Sequence, residues 1–281
     1  MPSALVLAGG GVAGIAWELG VLRGILDVHP GLEEVLLGTD VIVGTSAGST
    51  VAAQLGGGTP LDALYDAQLD AASAEIAVDV DLMGLFASFE QATAGVTDPA
   101  ELRRRVGALA LATETVPEAD RRAAVAARLP VQQWSERDIR IPAVDAQTGD
   151  VVVFTGDSGV DLVDAVTASC AVPGVWPPAT VNGRRYVDGG VRSSTNADLA
   201  AGCDRVLIVL PNLPDTPIPW TDLAAETVAL APARVVTVYA DDASIAAFGT
   251  NPLAAGTRAP SAHAGGDVGR RHADAVAALF G

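Results

Sequence analysis

Residues 4–8 and 41–43 are short apolar runs that read as buried strands, with a glycine loop at 9–14 and a helix between them. The helix shows in the spacing of Ile15, Leu19, Leu22 and Leu26, which repeats along one helical face. His29-Pro30-Gly31 breaks it. Two strands joined by a helix imply a parallel pair with a right-handed crossover. Later segments keep the alternation. Residues 139–145 and 151–155 read as strands joined through Gln147-Thr148-Gly149-Asp150, a hairpin turn. Residues 160–170 read as a helix, 206–210 and 235–239 as buried strands, and 270–280 as a final helix. Residues 251–266, rich in Ala, Gly and Pro, read as a mobile surface loop. The expected fold is therefore α/β, a three-layer α/β/α sandwich on a mostly parallel sheet.

Residues 60–129 are mostly helical in pattern, and a single domain over 1–281 is expected, with a helical cap or lid around 78–130. Within it Met83, Leu85, Phe86 and Phe89 lie close together. They read either as core or as an apolar lid over a lipid-binding cleft.

The second strand runs into Gly44-Thr45-Ser46-Ala47-Gly48, followed by a helix-compatible segment at 49–55. A Gly-x-Ser-x-Gly turn between strand and helix holds a serine oxygen out as a nucleophile. The bland alternative is a glycine-rich turn in which Ser46 only caps the helix. Two further elements fall at predicted strand ends or beside them, the edge where open α/β sheets bind ligands. One is Gly9-Gly10-Gly11-Val12-Ala13-Gly14, whose amides can converge on an anion at a helix N-terminus. The other is Asp188-Gly189-Gly190, whose acid can take the serine proton or orient a base that does.

Taken together, these motifs resemble the patatin-like phospholipase family of bacterial acyl hydrolases. The resemblance runs in scattered blocks over residues 4–210 and includes the stretch Ala168-Ser169-Cys170-Ala171-Val172-Pro173 through Pro177-Pro178. It implies a Ser–Asp dyad without histidine: Ser46 as nucleophile and Asp188 as proton acceptor. It also implies an oxyanion hole from the backbone of Gly9, Gly10, Gly11 and Val12. Gly14, Gly44, Gly48, Gly189 and Gly190 belong to the supporting motifs. The sequence departs from the pattern at Ala13, where the family often carries Arg or Lys, and at Ala8. An oxyanion hole here would rest on backbone dipoles alone. A carboxylate with an ordinary pKa near ~3.9 is a poor base for serine, so the dyad needs a desolvated aspartate or a very short Ser–Asp hydrogen bond.

Competing readings remain at this point. The order Ser46, Asp188, then His263 or His272 matches an α/β-hydrolase triad, although His263, His272 and His29 all read as surface or packing residues. Gly9-x-Gly11-x-x-Gly14 matches a dinucleotide fingerprint, but the second strand ends on Gly44-Thr45-Ser46 where that fold wants an acid. A non-catalytic lipid-binding relative is the third.

Net charge is −17 and every one of the 17 basic residues is Arg. That balance argues against nucleic acid and against docking on anionic lipid through a basic patch. The runs Arg103-Arg104-Arg105 and Arg121-Arg122 read as solvated, salt-bridged helix faces beside Glu101 and Glu118 and Asp120. Asp79, Asp81, Asp241 and Asp242 read as surface charge. No His/Cys/Asp spacing suggests a metal, and no cofactor is expected. Cys170 and Cys203 read as buried small hydrophobes in a reducing, cytoplasmic setting. The N-terminus lacks a positive region before its apolar run and reads as a first strand rather than a signal peptide. The expected partner is a lipid or other acyl ester, with any membrane contact peripheral and apolar.

Overall fold

The computed structural model describes residues 1–78 and 80–281; Asp79, expected as surface charge, lies outside them. Eight strands among the described residues form one sheet: β1 (Ser3–Leu7), β2 (Val41–Gly44), β3 (Asp138–Asp145), β4 (Val151–Phe154), β5 (Ala179–Val181), β6 (Arg184–Asp188), β7 (Arg205–Leu210) and β8 (Arg234–Tyr239). Their order is β5-β6-β3-β2-β1-β7-β8, with β4 also pairing β3. β3, β2, β1, β7 and β8 run parallel. β4, β6 and β5 extend the β3 side by antiparallel pairing. The sheet is thus mostly parallel with an antiparallel margin.

The helices are α1 (Gly11–Val28), α2 (Glu33–Leu37), α3 (Ala47–Gly56), α4 (Leu61–Leu69), α5 (Leu82–Thr93), α6 (Pro99–Ala112), α7 (Glu118–Ala127), α8 (Leu162–Ser169), α9 (Leu223–Ala229), α10 (Asp242–Phe248) and α11 (Arg258–Phe280). Alternation along each strand sorts them into layers. Leu5 and Leu7 of β1 face a core with Trp17, Leu19, Val51 and Val276 from α1, α3 and α11. Ala4 and Val6 point the other way, to Ala197, Ala200 and Leu230. On that second side Val144 and Val187 pack with Phe89 and Val106 from α5 and α6.

The expected loop at 251–266 is a loop only in its first part, because α11 begins at Arg258. Its glycines serve packing rather than flexibility. A Cβ at Gly265 or Gly269 would overlap the carbonyl oxygens of Trp17 or Val21 in α1, and one at Gly20 would overlap that of Ala262. Small residues on both partners let the two helices approach backbone to backbone. The short β5 was not foreseen. It joins β6 through Asn182 and Gly183, both at positive φ (49° and 78°), the conformation of a two-residue type I′ hairpin.

Three other expectations resolve simply. Met83 is 80% and Phe86 43% exposed, while Phe89 is buried against Trp220, so that cluster is neither all core nor all surface. Asp81 and Asp241 accept from the Gly84 and Ser244 amides and cap α5 and α10. Asp242 is exposed.

Candidate active site

Ser46 stands between β2 and α3 with φ 52° and ψ −114°. A non-glycine residue at positive φ stores strain, of order 1–3 kcal/mol, and needs neighbours that hold it there. The Ser46 N–H donates to Ser169 Oγ at 3.0 Å. Its carbonyl accepts from Ser49 Oγ at 2.6 Å and from Cys170 Sγ at 3.1 Å. Gly48 lets α3 lie directly on β1, because a Cβ there would overlap the Leu7 carbonyl oxygen. Cys170 is buried as expected, but it also braces the turn.

The glycine loop runs from β1 into α1. The Gly9 amide is already used, donating to Ser194 O at 2.9 Å. Ala13 donates to Pro252 O at 2.9 Å and Gly14 to Gly10 O at 2.8 Å. The amides of Gly10, Gly11 and Val12 find no acceptor among the described residues, which leaves three donors at the start of a long helix. Gly11 has φ +66°, and Leu253 and Pro252 lie against it. The Ala47 amide, first in α3, is likewise without an acceptor among the described residues. Its place after the turn serine is the sequence signal that identifies it as a fourth donor.

Asp188 ends β6. Strand register explains why it stands near Ser46. Val43 is opposite Arg140 on β3, and Asp188 is opposite Ala143. Ser46 lies three residues past Val43, and Ala143 three past Arg140, so Ser46 and Asp188 sit at one level of the sheet. Oδ1 of Asp188 accepts the Gly190 N–H at 2.7 Å. Oδ2 is buried and has no partner among the described residues. Burial lifts the Asp188 pKa to about 7, against smaller downward pulls from the Gly190 amide, the Ser46 hydroxyl and the Arg121 charge. The Ser46 hydroxyl is therefore near the carboxyl, yet the orphaned Oδ2 shows that the two do not meet at ordinary hydrogen-bond geometry.

Asn196 ties the two turns together. Fully buried and left-handed (φ 48°), it donates from Nδ2 to Thr45 Oγ1 at 3.1 Å and to Gly189 O at 3.3 Å. Sequence reasoning missed Asn196 and Ser169; their roles come from contacts 151 and 123 residues away in the chain.

A cavity joins Ser46 and Ala47 to Gly11, Val12, Ile15, Cys170, Val172, Trp176 and Leu253. It holds ≈ 10 Å³, room for about one water. Arg121 and Arg128 also line it. Here the sequence reading is corrected. Arg104 and Arg105 do pair with Glu101, and Arg122 with Asp164. Arg121, however, is only 3% exposed. The helical periodicity of α7 turns it inward with Ala124 and Val125, onto the face of Trp176 at 4.0 Å.

The three histidines lie elsewhere. His29 pairs with Asp274, His272 bonds Val268 O one turn back, and His263 of α11 packs beside Tyr65 of α4. None lines the Ser46 cavity. Among the described residues no helix is long and apolar enough to cross a membrane.

A family model described as patatin-like phospholipase matches residues 5–201. No curated protein matches the chain. Among solved structures it resembles VipD from Legionella pneumophila, with TM-score 0.48 and 12% identity over 98% of this chain and 67% of that one. It also resembles the type III effector ExoU, with TM-score 0.39 and 17% identity over 97% of this chain. The chain spans about half the length of that protein (53%). A Pseudomonas aeruginosa complex of full-length ExoU with SpcU gives TM-score 0.40 and 17% identity over 95% of this chain and 52% of that one.

Proposed function

The chain belongs to the patatin-like phospholipase family, and from that premise we propose that it cleaves carboxylic esters of lipids through an acyl-enzyme on Ser46. Ser46 Oγ attacks the ester carbonyl while its proton passes to Asp188. The oxyanion forms against the free amides of Gly10, Gly11 and Val12, joined by Ala47. Each such donor is typically worth about 2.7–4 kcal/mol. The tetrahedral intermediate expels the alcohol, which takes the proton held on Asp188. A water then gives its proton to Asp188 and attacks the acyl carbon, and as the fatty acid leaves that proton returns to Ser46 Oγ. Gly9 is left out of the oxyanion set because its N–H is spent on Ser194.

The observation that carries this reading is Asp188 itself: a deeply buried carboxyl with one oxygen unpartnered among the described residues and a pKa of about 7, level with a serine in a strained turn. At that pKa a carboxylate is a far better match to a serine proton than an exposed one. The helices between 78 and 130 act in this reading as a cap, since α7 and the residue just after it place Arg121 and Arg128 in the cavity wall. The two cysteines, both free and buried, suit a reducing compartment.

Labelling with a fluorophosphonate probe tests the proposal. The parent chain is expected to label on Ser46, and Ser46→Ala not at all. Equal labelling of the two, or no labelling of the folded parent, would overturn it.

A further inference from the structure

Arg121 carries a charge that no hydrogen bond or ion pair among the described residues answers. Its Nε and Nη1 are buried and have no hydrogen-bond partner among the described residues. The acids whose charge reaches it are Glu75 and Asp188, and neither bonds to it; Glu118 and Asp164 are committed elsewhere. Both oxygens of Glu75 are held by Arg128, at 2.7 and 2.5 Å. Glu118 accepts the amide and hydroxyl of Thr180, and Asp164 accepts from Arg122. Burial and the neighbouring Arg128 push the Arg121 pKa down, to about 10, so it stays protonated at neutral pH. Burying an unpaired charge costs several kcal/mol.

Among the described residues its guanidinium rests on the Trp176 ring, 4.0 Å from carbon to centroid. The Nε and Nη1 N–H groups stay unused among the described residues. They belong to a side chain that lines the same small cavity as Ser46 and the Gly11 and Val12 backbone. A guanidinium edge is a planar fork that fits two oxygens of one anion.

We propose that Arg121 is a specificity-determining residue that takes an oxyanion, a phosphate or a carboxylate, covalently attached to the ester being cleaved. The inference rests on Ser46 as nucleophile only for its turnover arm. The positive charge at this site comes from the cap helix α7, in a chain whose glycine loop has Ala at position 13.

Three water-soluble butyryl esters test it: butyrylglycerol, butyrylglycerol phosphate and butyrylglycerate, all below any micelle concentration. In the parent chain kcat/KM is expected to favour one or both anionic esters over the neutral one. In Arg121→Gln the anionic-to-neutral ratio is expected to fall about 10- to 100-fold, the range of a charged hydrogen-bond pair. Arg121→Lys, which keeps the charge and loses the fork, is expected to fall in between and decides the matter if the Gln variant does not fold. Loss on the phosphate alone, the carboxylate alone, or both identifies the anion. An unchanged ratio in the folded variants overturns the proposal. A binding arm is independent of the chemistry: calorimetry of glycerol 3-phosphate and glycerate on Ser46→Ala, with and without Arg121→Gln. If Ser46→Ala still turns over ester, the nucleophile assignment fails while the binding arm still reads Arg121. If Ser46→Ala binds neither anion, or binds equally well without Arg121, the Arg121 proposal fails and the nucleophile assignment stands.

Discussion

Asp145 and Asp188 stand on neighbouring strands, β3 and β6, and neither shows more than 5% of its surface. Their surroundings treat them in opposite ways. Asp145 Oδ1 accepts the Gln147 and Thr148 amides at 2.9 and 3.0 Å, and Oδ2 accepts Arg184 Nε at 2.8 Å. It lies just beneath solvent, behind a half-exposed arginine. Burial pushes its pKa up, but the two amides and Arg184 outweigh that and the net shift is downward. Asp188 lies deep, with one amide on Oδ1 and no partner on Oδ2 among the described residues, and burial wins. The same side chain is held as a carboxylate by its partners in one place and has its pKa lifted to about 7 by burial in the other. The difference in partners is one amide hydrogen bond and one from an arginine.

Substitution to Asn separates these roles most sharply. Asp188→Asn is expected to lower kcat/KM by at least about 10³-fold, within the usual range for losing a general base. It is also expected to be more stable than the parent at pH 8. The unfolded chain releases this proton near 3.8 and the native state only near 7, so parent stability falls as pH rises between those values. The gap of about three units corresponds to about 4 kcal/mol. Urea unfolding at pH 4 and pH 8 measures it; equal stability differences at both would break the comparison. In the parent, kcat/KM is expected to climb as pH rises through about 7, since the base must be ionised. A profile flat from pH 5 to 9 would show that Asp188 is not the base.

Asp145→Asn is the mirror experiment. It is expected to cost about 2 kcal/mol of stability at pH 7, with kcat/KM of the folded fraction close to the parent's. Its contribution is present above the ordinary carboxylate pKa and is lost as pH falls through the lowered native value. A large loss of kcat/KM would mean that the two aspartates are functionally joined.

Ser169→Ala removes the acceptor of the Ser46 N–H. About a tenfold loss in kcat, with about 1 kcal/mol of stability, is expected. Stability lost with no change in kcat would show that the strained turn holds its shape without this bond.

Glu18 in α1 extends the comparison away from the site. It is fully buried and neither carboxyl oxygen has a partner among the described residues. Burial lifts its pKa well above 4.5, outweighing the nearby Ala8 amide. The native state holds this proton after the unfolded chain has released it, so stability falls as pH rises past 4.5. Glu18→Gln is expected to raise Tm at pH 8, by ~2–4 °C per kcal/mol recovered, and to leave activity unchanged. A lower Tm would show that the carboxylate is used.

The sequence carried those parts of the molecule that depend on near neighbours. The β1, glycine loop, α1, β2 and Ser46 turn could be read because each is specified by residues a few positions apart. Asp188-Gly189-Gly190 could be read as a motif, but the antiparallel direction of β6 could not. Arg121 was read as solvated because acids stand beside it in the chain, whereas its burial is decided by Trp176, 55 residues later. Gly265 and Gly269 looked like loop residues because glycine signals flexibility in isolation; only the approach of α1 reveals them as contact points. Asn196 had no local pattern at all.

The hairpin turn at Asn182 and Gly183 sits at the opposite end of β6 from Asp188. In a pleated strand, side chains alternate faces, so a slip of one residue turns every one of them over. That turn sets where β6 begins, and Asp188 inherits its facing from the count of residues between. Deleting a single residue at this surface corner would therefore aim the carboxyl at the other layer of the sandwich. The result would be an inactive protein in which every residue of the site is still present.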